Sequence, residues 1–338
     1  MTQFKVVQVA DSGFSAPEWV FTQLAEAGID FSVNFCENGD DLARYAGDAD
    51  VAWVFGGSPV LRGDNLLELK RCGAILRSGS GTDNIDVTRA TELGIIVTNT
   101  PDAVAPSVAD QTVTLLLCLA RQVLKHYHLI HRGIWDFQAA MPHGDLQGAR
   151  LGLIGFGRIP RLVVKKLAGF EMQIMAYDPY ADPEKMASLA VQRASWDEVF
   201  EQSDYVSVHC PLTEETHCSI GAREFQMMPA HALFVNTSRG YVVDEPALIQ
   251  ALQEGWIAGA ALDVLQKEPP DADNPLLAME NVIITPHIGG TSARFPLEFY
   301  KYSVEAILDL AAGRWPRSVV NLGVTPRWGK LSPSIYAD

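Results

Sequence analysis

The chain has 338 residues, 48% of them hydrophobic and 20% charged, and its 26 Lys and Arg stand against 41 Asp and Glu for a net charge of −15. This length and apolar content suffice for two domains with sizeable cores. A negative field of that size repels nucleic acid and anionic membranes, so a small anionic substrate must be captured by local arginines and oriented N–H groups.

The longest strongly apolar stretch, Val113 to Ala120, is too short to span a bilayer, and Asp11 interrupts the N-terminus before a signal-peptide pattern develops. A cytoplasmic protein without a membrane partner is expected. The five cysteines, Cys36, Cys72, Cys118, Cys210 and Cys218, are odd in number and lack Cys-x-x-Cys spacing. They read as reduced packing residues, with no disulfide and no metal site.

In chain order, Phe4 to Val9 forms a short strand and Pro17 to Ala27 a helix closed by Gly28. Strand signals follow at Phe31 to Phe35, Val51 to Phe55, Ala74 to Leu76 and Ile95 to Thr98, separated by helical stretches at Asp41 to Tyr45, Asn65 to Arg71 and Val87 to Leu93. Such alternation predicts a parallel, doubly wound sheet. Two loops leave its strand ends, where open α/β sheets place ligands: Phe55 to Pro59, and Arg77 to Asp86. The second joins an arginine to two glycines before a helix, which suits a carboxylate, although a plain flexible turn is the other reading.

Asn99-Thr100-Pro101 marks a hinge. Pro106-Ser107 then opens a helix predicted to run to about His131, with Ser107 as N-cap and Asp110 three residues on. Its apolar residues Val113, Leu116, Leu117, Ala120, Val123 and Leu124 suit burial against the chain's own core or a partner subunit. From Leu151 the alternation resumes, with strands at Leu151 to Ile154, Gln173 to Tyr177, Tyr205 to His209, Leu233 to Asn236, Ala258 to Leu262 and Val282 to Thr285. Pro286 marks the return hinge, Leu297 to Ala312 a helix, and Val319-Val320-Asn321 a short strand. One α/β domain inserted into another is the predicted architecture.

The run Leu151 to Pro160 breaks from an apolar strand into Gly155-Phe156-Gly157 and then a helix. Gly155 permits a tight bend, and Gly157 lets backbone N–H groups approach a pyrophosphate at the positive helix end. Asp178 closes the next strand, where a carboxylate accepts hydrogen bonds from an adenosine ribose and repels a 2′-phosphate, favouring NAD over NADP. Pro160 stands where the third glycine of this fingerprint belongs.

Arg239, Glu268 and His287 each follow a predicted strand of the second sheet. A histidine beside a carboxylate can exchange a proton with a hydroxyl or ketone, since the carboxylate orients the ring and raises its pKa from about 6.5. An arginine can hold a 2-keto or 2-hydroxy carboxylate and polarise the carbonyl. Each also has an ordinary reading: Arg239 capping carbonyls, Glu268 solvated beside Pro269-Pro270, and His287 hydrogen-bonded within a turn.

The series Ser80 to Asp86, Asn99-Thr100-Pro101, Gly155 to Ile159, Val235 to Gly240, Ala261 to Val264 with Glu268-Pro269, and Thr285 to Gly290 resembles the D-isomer-specific 2-hydroxyacid dehydrogenase family, including its phosphoglycerate dehydrogenases and glyoxylate/hydroxypyruvate reductases. The resemblance spans nearly the whole chain. It implies an α/β fold of two doubly wound parallel-sheet domains. A Rossmann NAD-binding domain (101–288) is inserted into a flavodoxin-like substrate domain (1–100 with 289–338), and the active site lies in the interdomain cleft of a homodimer. It implies a triad of Arg239, Glu268 and His287, with Arg77, Ser80 and Gly81 on the carboxylate of a small anionic 2-hydroxy or 2-keto acid. For NAD it implies contacts from Gly155, Gly157, Arg158, Ile159 and the ribose-binding Asp178. Further contacts fall to His209, Pro211 and Thr216, to Thr237 and Ser238, and to Asp263, on the nicotinamide carboxamide, and Gly289.

Departures from the family pattern bear on that reading. Proline at 160 predicts a slightly displaced helix with NAD binding retained, and Asp110-Gln111 replaces a usual Glu-His to no assigned effect. The arginine that phosphoglycerate dehydrogenases carry in the loop occupied here by Gly56-Gly57-Ser58 is absent, which disfavours a phosphorylated substrate even though Arg77 matches their second loop. A formate dehydrogenase would carry glutamine in place of Glu268. An NAD-sensing corepressor remains the alternative from outside the enzymes.

Overall fold

Short strands alternating with helices build two all-parallel sheets, one in each of two units, Met1–Val104 with Ser292–Asp338 and Ala105–Thr291. The computed structural model describes residues 3–10, 16–56, 59–136, 138, 141 and 144–336. Asp11, and Gly57 and Ser58 of the loop discussed above, lie outside the described residues.

The first unit holds β1 (Phe4–Ala10), β2 (Ile29–Phe35), β3 (Val51–Val54), β4 (Ala74–Arg77) and β5 (Ile96–Asn99) in the order β2-β1-β3-β4-β5. The helices α1 (Glu18–Glu26), α2 (Gly39–Tyr45) and α3 (Val87–Glu92) intervene in sequence. Apolar residues on the sheet, among them Val7, Val54, Ile75 and Val97, are buried with Leu42, Leu61 and Leu66. The helix expected over Asn65 to Arg71 is replaced by 3-10 turns at Pro59–Leu61 and Gly63–Glu68. Gly63 has φ +54°, and the Asn65 amide donates to the Val60 carbonyl at 3.0 Å, which tightens the segment. The strand expected at Val319 to Asn321 is a single antiparallel bridge between Thr98 and Val319. There Val320 N–H donates to the Val97 carbonyl at 2.8 Å, and the Asn321 side chain, accepting from Val97 N–H at 2.8 Å and donating to the Ile95 carbonyl at 3.0 Å, adds to that backbone pairing.

The second unit opens with α4 (Ala105–Ala120) and α5 (Val123–His131). These replace the single helix expected from Pro106 to His131: Gln122 sits in the left-handed region at φ 50° and ends the run. Ser107 lies inside the first turn of α4 and is not its cap. Leu116 and Ala120 are buried with Leu115 and Leu119, whereas Val123 and Leu124 are exposed.

Next come β6 (Arg150–Ile154), α6 (Arg158–Leu167), β7 (Gln173–Tyr177), α7 (Pro183–Ser188) and β8 (Gln192–Arg193), a two-residue strand that the pattern did not reveal. The chain continues through α8 (Trp196–Gln202), β9 (Tyr205–Val208), α9 (Ala222–Met227), β10 (Leu233–Asn236), α10 (Glu245–Glu254), β11 (Gly259–Leu262) and β12 (Val282–Ile284). After it, α11 (Phe295–Ala311) belongs to the first unit. The strand order is β12-β11-β10-β9-β6-β7-β8, so β6 lies where the winding reverses, the position at which open sheets bind ligands beyond their carboxyl ends. Side chains alternate across this sheet: Phe234 joins the core with Phe200, Phe225 and Leu262, while Leu233 and Val235 join Leu115, Leu119 and Val163 on the opposite face.

Candidate active site

At the end of β6, Gly155 adopts φ +95°, and a Cβ there would lie 2.9 Å from the Cys210 nitrogen and 3.0 Å from the His209 carbonyl carbon. Only glycine meets both conditions. Gly157 is the N-cap of α6, bears no side-chain cap, and faces open space where a Cβ would project. The helix end is therefore unobstructed. Pro160 is the third residue of α6 and is buried. An N–H at this position has no intrahelical acceptor in any α-helix, so proline removes a donor the helix does not use, and the amides of Gly157, Arg158 and Ile159 remain.

Asp178, just past β7, accepts from Phe156 N–H at 2.7 Å through Oδ2 and from Tyr180 N–H at 2.9 Å through Oδ1, which ties the acid to the glycine turn. Beyond β9, Thr216 Oγ1 donates to the Pro211 carbonyl at 2.6 Å and accepts from Thr213 N–H at 2.8 Å, closing the loop that carries both residues. His209 pairs through Nε2 with Ser207 Oγ at 2.9 Å, and exclusion of water from its ring pushes its pKa down to about 3. It is neutral at physiological pH.

The loops after β10, β11 and β12 carry the three candidate catalytic residues. Asn236 shapes the first: its Oδ1 accepts from Ser238 N–H at 2.9 Å, and its Nδ2 donates to the Arg239 carbonyl at 3.0 Å. The guanidinium of Arg239 in turn donates to the Ser238 carbonyl at 2.8 Å. Thr237 Oγ1 lies 2.8 Å from Thr112 Oγ1 of α4. After β11, Glu268 Oε1 accepts from Leu265 N–H at 3.0 Å, and Oε2 accepts from His287 Nδ1 at 2.7 Å. Partial burial opposes ionisation of Glu268. The His287 and Leu265 hydrogen bonds and the charges of His287 and Arg239 outweigh it, holding the carboxyl below the usual range.

His287 adopts φ +51°. A non-glycine residue in this region costs about 1–2 kcal/mol, which local bonds must offset. They come from Asp263, 2% exposed at the end of β11. Its carbonyl accepts from His287 N–H at 2.9 Å. Its Oδ1 accepts from the Thr285 hydroxyl at 2.5 Å and Ile288 N–H at 3.0 Å, and its Oδ2 from Gly289 N–H at 2.7 Å. With Nδ1 on Glu268, Nε2 is the nitrogen left to exchange a proton with a substrate. Arg239 and the His287–Glu268 pair thus lie at neighbouring strand ends, and Asn236 and Thr285 hold the loops that bear them. Neither support residue was assigned from sequence, where a polar residue at a strand end looks like any other.

In the first unit, the loop after β4 is fixed by Ser78 Oγ, which accepts from Trp53 Nε1 at 2.6 Å and lies 2.7 Å from Ser303 Oγ. Gly79, at φ +106°, donates its N–H to Thr100 Oγ1 at 2.7 Å and leaves room for the Arg77 guanidinium, which a Cβ would overlap. Among the described residues, Ser80 and Gly81 N–H groups have no protein acceptor. Both are oriented donors of the kind a carboxylate needs.

A parallel sheet with a glycine turn at its switch point, an open helix end beyond it and an acid at the next strand end defines a dinucleotide-binding α/β protein, and its residues fit that ligand. The chain belongs to the D-isomer specific 2-hydroxyacid dehydrogenase family, whose NAD-binding domain model matches residues 113–289. It is 40% identical over 297 residues to D-3-phosphoglycerate dehydrogenase of Methanocaldococcus jannaschii, covering 87% of this chain and 56% of that protein. It is 38% identical over 285 residues to glyoxylate reductase of Korarchaeum cryptofilum, covering 83% and 82%. The chain therefore spans little more than half the length of the first relative. The crystal structure of a glyoxylate reductase from Paecilomyes thermophila matches with a TM-score of 0.84 at 26% identity, covering 95% and 99% of the two chains. No helix among the described residues is long and apolar enough to cross a membrane, and none of their His, Cys, Asp and Glu form a metal-binding group.

Proposed function

We propose that the protein is an NAD-dependent oxidoreductase interconverting a small D-2-hydroxy acid and its 2-keto acid, with residues 101–288 as the dinucleotide-binding domain and 1–100 with 289–338 as the substrate domain. The observation that carries this reading is the 2.7 Å bond between His287 Nδ1 and Glu268 Oε2, with Arg239 on the adjoining loop.

Bound NAD supplies or takes up the hydride at C2. The residues around it do the rest. Arg239 holds the substrate carboxylate and polarises the adjacent carbonyl, where negative charge develops. In the reductive direction His287 Nε2 delivers a proton to that oxygen, and Glu268 stabilises the ring while it carries the charge. The pyrophosphate fits the Gly157, Arg158 and Ile159 amides, and the adenosine ribose fits Asp178. His209, Pro211, Thr216, Thr237, Ser238 and Gly289 line the remaining course of the cofactor. Asp263 Oδ2 accepts one donor, which leaves a lone pair for the nicotinamide carboxamide. Arg77 and the Ser80 and Gly81 amides supply further donors for the substrate carboxylate.

Glyoxylate and hydroxypyruvate are favoured as substrates over phosphorylated acids, because the loop at 56–58 carries no arginine. A cytoplasmic homodimer is proposed, joined through α5, whose exposed Val123, Leu124, Tyr127 and Ile130 form an apolar surface. The test is NADH oxidation at 340 nm with glyoxylate, hydroxypyruvate, 3-phosphohydroxypyruvate, pyruvate and phenylpyruvate. Turnover of an unphosphorylated keto acid, lost in His287→Ala, supports the reading. Tight NADH binding without turnover of any of them would overturn it in favour of an NAD sensor.

A further inference from the structure

Gln111 sits in the second turn of α4, and nothing in the proposed chemistry uses it. Its Nε2 donates to Thr285 Oγ1 at 3.1 Å. That hydroxyl has one proton, which it gives to Asp263 Oδ1 at 2.5 Å, and Asp263 holds the N–H groups of His287, Ile288 and Gly289. A continuous line of bonds therefore runs from α4 to the loop on which His287 keeps its left-handed conformation. The direction of each bond is fixed by chemistry. Asp263 is a pure acceptor, so Thr285 must donate to it, and the remaining Thr285 lone pairs need a donor, which among the described residues Gln111 supplies. The neighbouring residue, Thr112, reaches Thr237 at 2.8 Å, two residues before Arg239. Asp110, one residue earlier, pairs with Lys166 of α6 at 2.7 Å, which anchors this turn of the helix.

We infer that Gln111 is a positioning residue: by donating to Thr285 it holds the Thr285 hydroxyl on Asp263, and so sets the His287 backbone and the His287–Glu268 bond. The inference rests on the proposed role of His287. Removing the donor frees the hydroxyl to rotate and relaxes a loop that carries backbone strain, so the histidine spends less time in the productive geometry, while the residues that hold the pyrophosphate and the adenosine ribose, on the loops after β6 and β7, are untouched.

The test compares Gln111→Leu, which keeps the bulk and loses the donor, Gln111→Glu, which turns the donor into an acceptor facing Asp263, and Gln111→His, which returns an N–H donor. Three readouts are needed: kcat and KM, NADH affinity by fluorescence, and the downfield Nδ1–H proton resonance of His287, identified by its loss in His287→Asn. In Gln111→Leu, kcat is expected to fall about tenfold, the worth of one ordinary hydrogen bond. KM and NADH affinity stay within about threefold in the same variant, and the resonance broadens or vanishes. Gln111→Glu falls further, and Gln111→His recovers both kcat and the resonance. An unchanged resonance and kcat in Gln111→Leu overturn the inference, as does a kcat loss that Gln111→His does not recover. Because the resonance is read without turnover, a changed resonance in Gln111→Leu upholds the positioning role even if His287→Asn keeps full activity, a result that would remove only the proposed chemistry.

Discussion

Asp263 grips the His287 loop twice: its carbonyl takes the His287 N–H at 2.9 Å, and its carboxylate takes the N–H groups of Ile288 and Gly289. Asp263→Asn turns one of those acceptor oxygens into an NH2 that faces an N–H. Stability is expected to fall by about 1–3 kcal/mol, the cost of a buried unsatisfied donor, as read by urea denaturation. Turnover should fall more steeply than stability, because the loop that loosens carries His287.

Substitution within the His287–Glu268 pair separates chemistry from folding. His287→Ala is expected to lower kcat by a factor of roughly 10²–10⁴ with NADH affinity retained, the range for loss of a general acid. Glu268→Gln should lie between this variant and the wild type. The Glu268 carboxyl is held below its ordinary value of 4.5, so its contribution to stability is present above that pH and lost as pH falls through the lowered native value. Thermal unfolding of Glu268→Gln should lack that acid-side loss.

The two glycines of the turn after β6 should respond differently. Gly155→Ala forces a Cβ against the chain at Cys210 and leaves alanine at φ +95°, so both the melting temperature and NADH binding should drop. Gly157→Ala meets open space at an ordinary φ of −76°. The fold should survive it unchanged while NADH binding weakens about tenfold or more; unaltered affinity would remove the pyrophosphate from this helix end.

His209 makes acid stability a sensitive measurement. Its pKa is about 3 in the fold against about 6.5 when unfolded, so the unfolded chain binds one more proton between those limits and stability rises with pH across that window. One proton corresponds to at most about 1.4 kcal/mol per pH unit. The melting temperature of His209→Gln should therefore depend less steeply on pH between about 3 and 6.5 than that of the wild type.

The α5 surface supplies a test of assembly. Leu124 and Ile130 are both more than two-fifths exposed. Replacing them together with glutamate should leave the melting curve of the individual chain intact while light scattering reports a monomer where the wild type is a dimer.

Much of this architecture was legible because its signals are local. Apolar runs ending in glycine, proline or a single polar residue marked the strand ends, and Arg239, Glu268 and His287 stood out as reactive residues just past them. Features set by distant partners were not legible. Gln122 takes a left-handed conformation that its residue type does not announce. Asn321 bonds through its side chain to residues more than 220 positions away, and Gln111 meets Thr285 across 174. Pro160, in place of the fingerprint's third glycine, predicts only a slight displacement of its helix with NAD binding retained. Its position within the first helical turn explains how it is tolerated.

The strand order β12-β11-β10-β9-β6-β7-β8 has a consequence for how such a chain can change. The residues suited to the adenosine end follow β6 and β7, whereas Arg239, Glu268 and His287 follow β10, β11 and β12, on the far side of β9. The grip on the adenosine end and the proposed reactivity are thereby written in separate halves of one sheet. Drift in the loops of one half can explore new chemistry while the other keeps hold of the same coenzyme, a modularity that a site built from a single loop would lack.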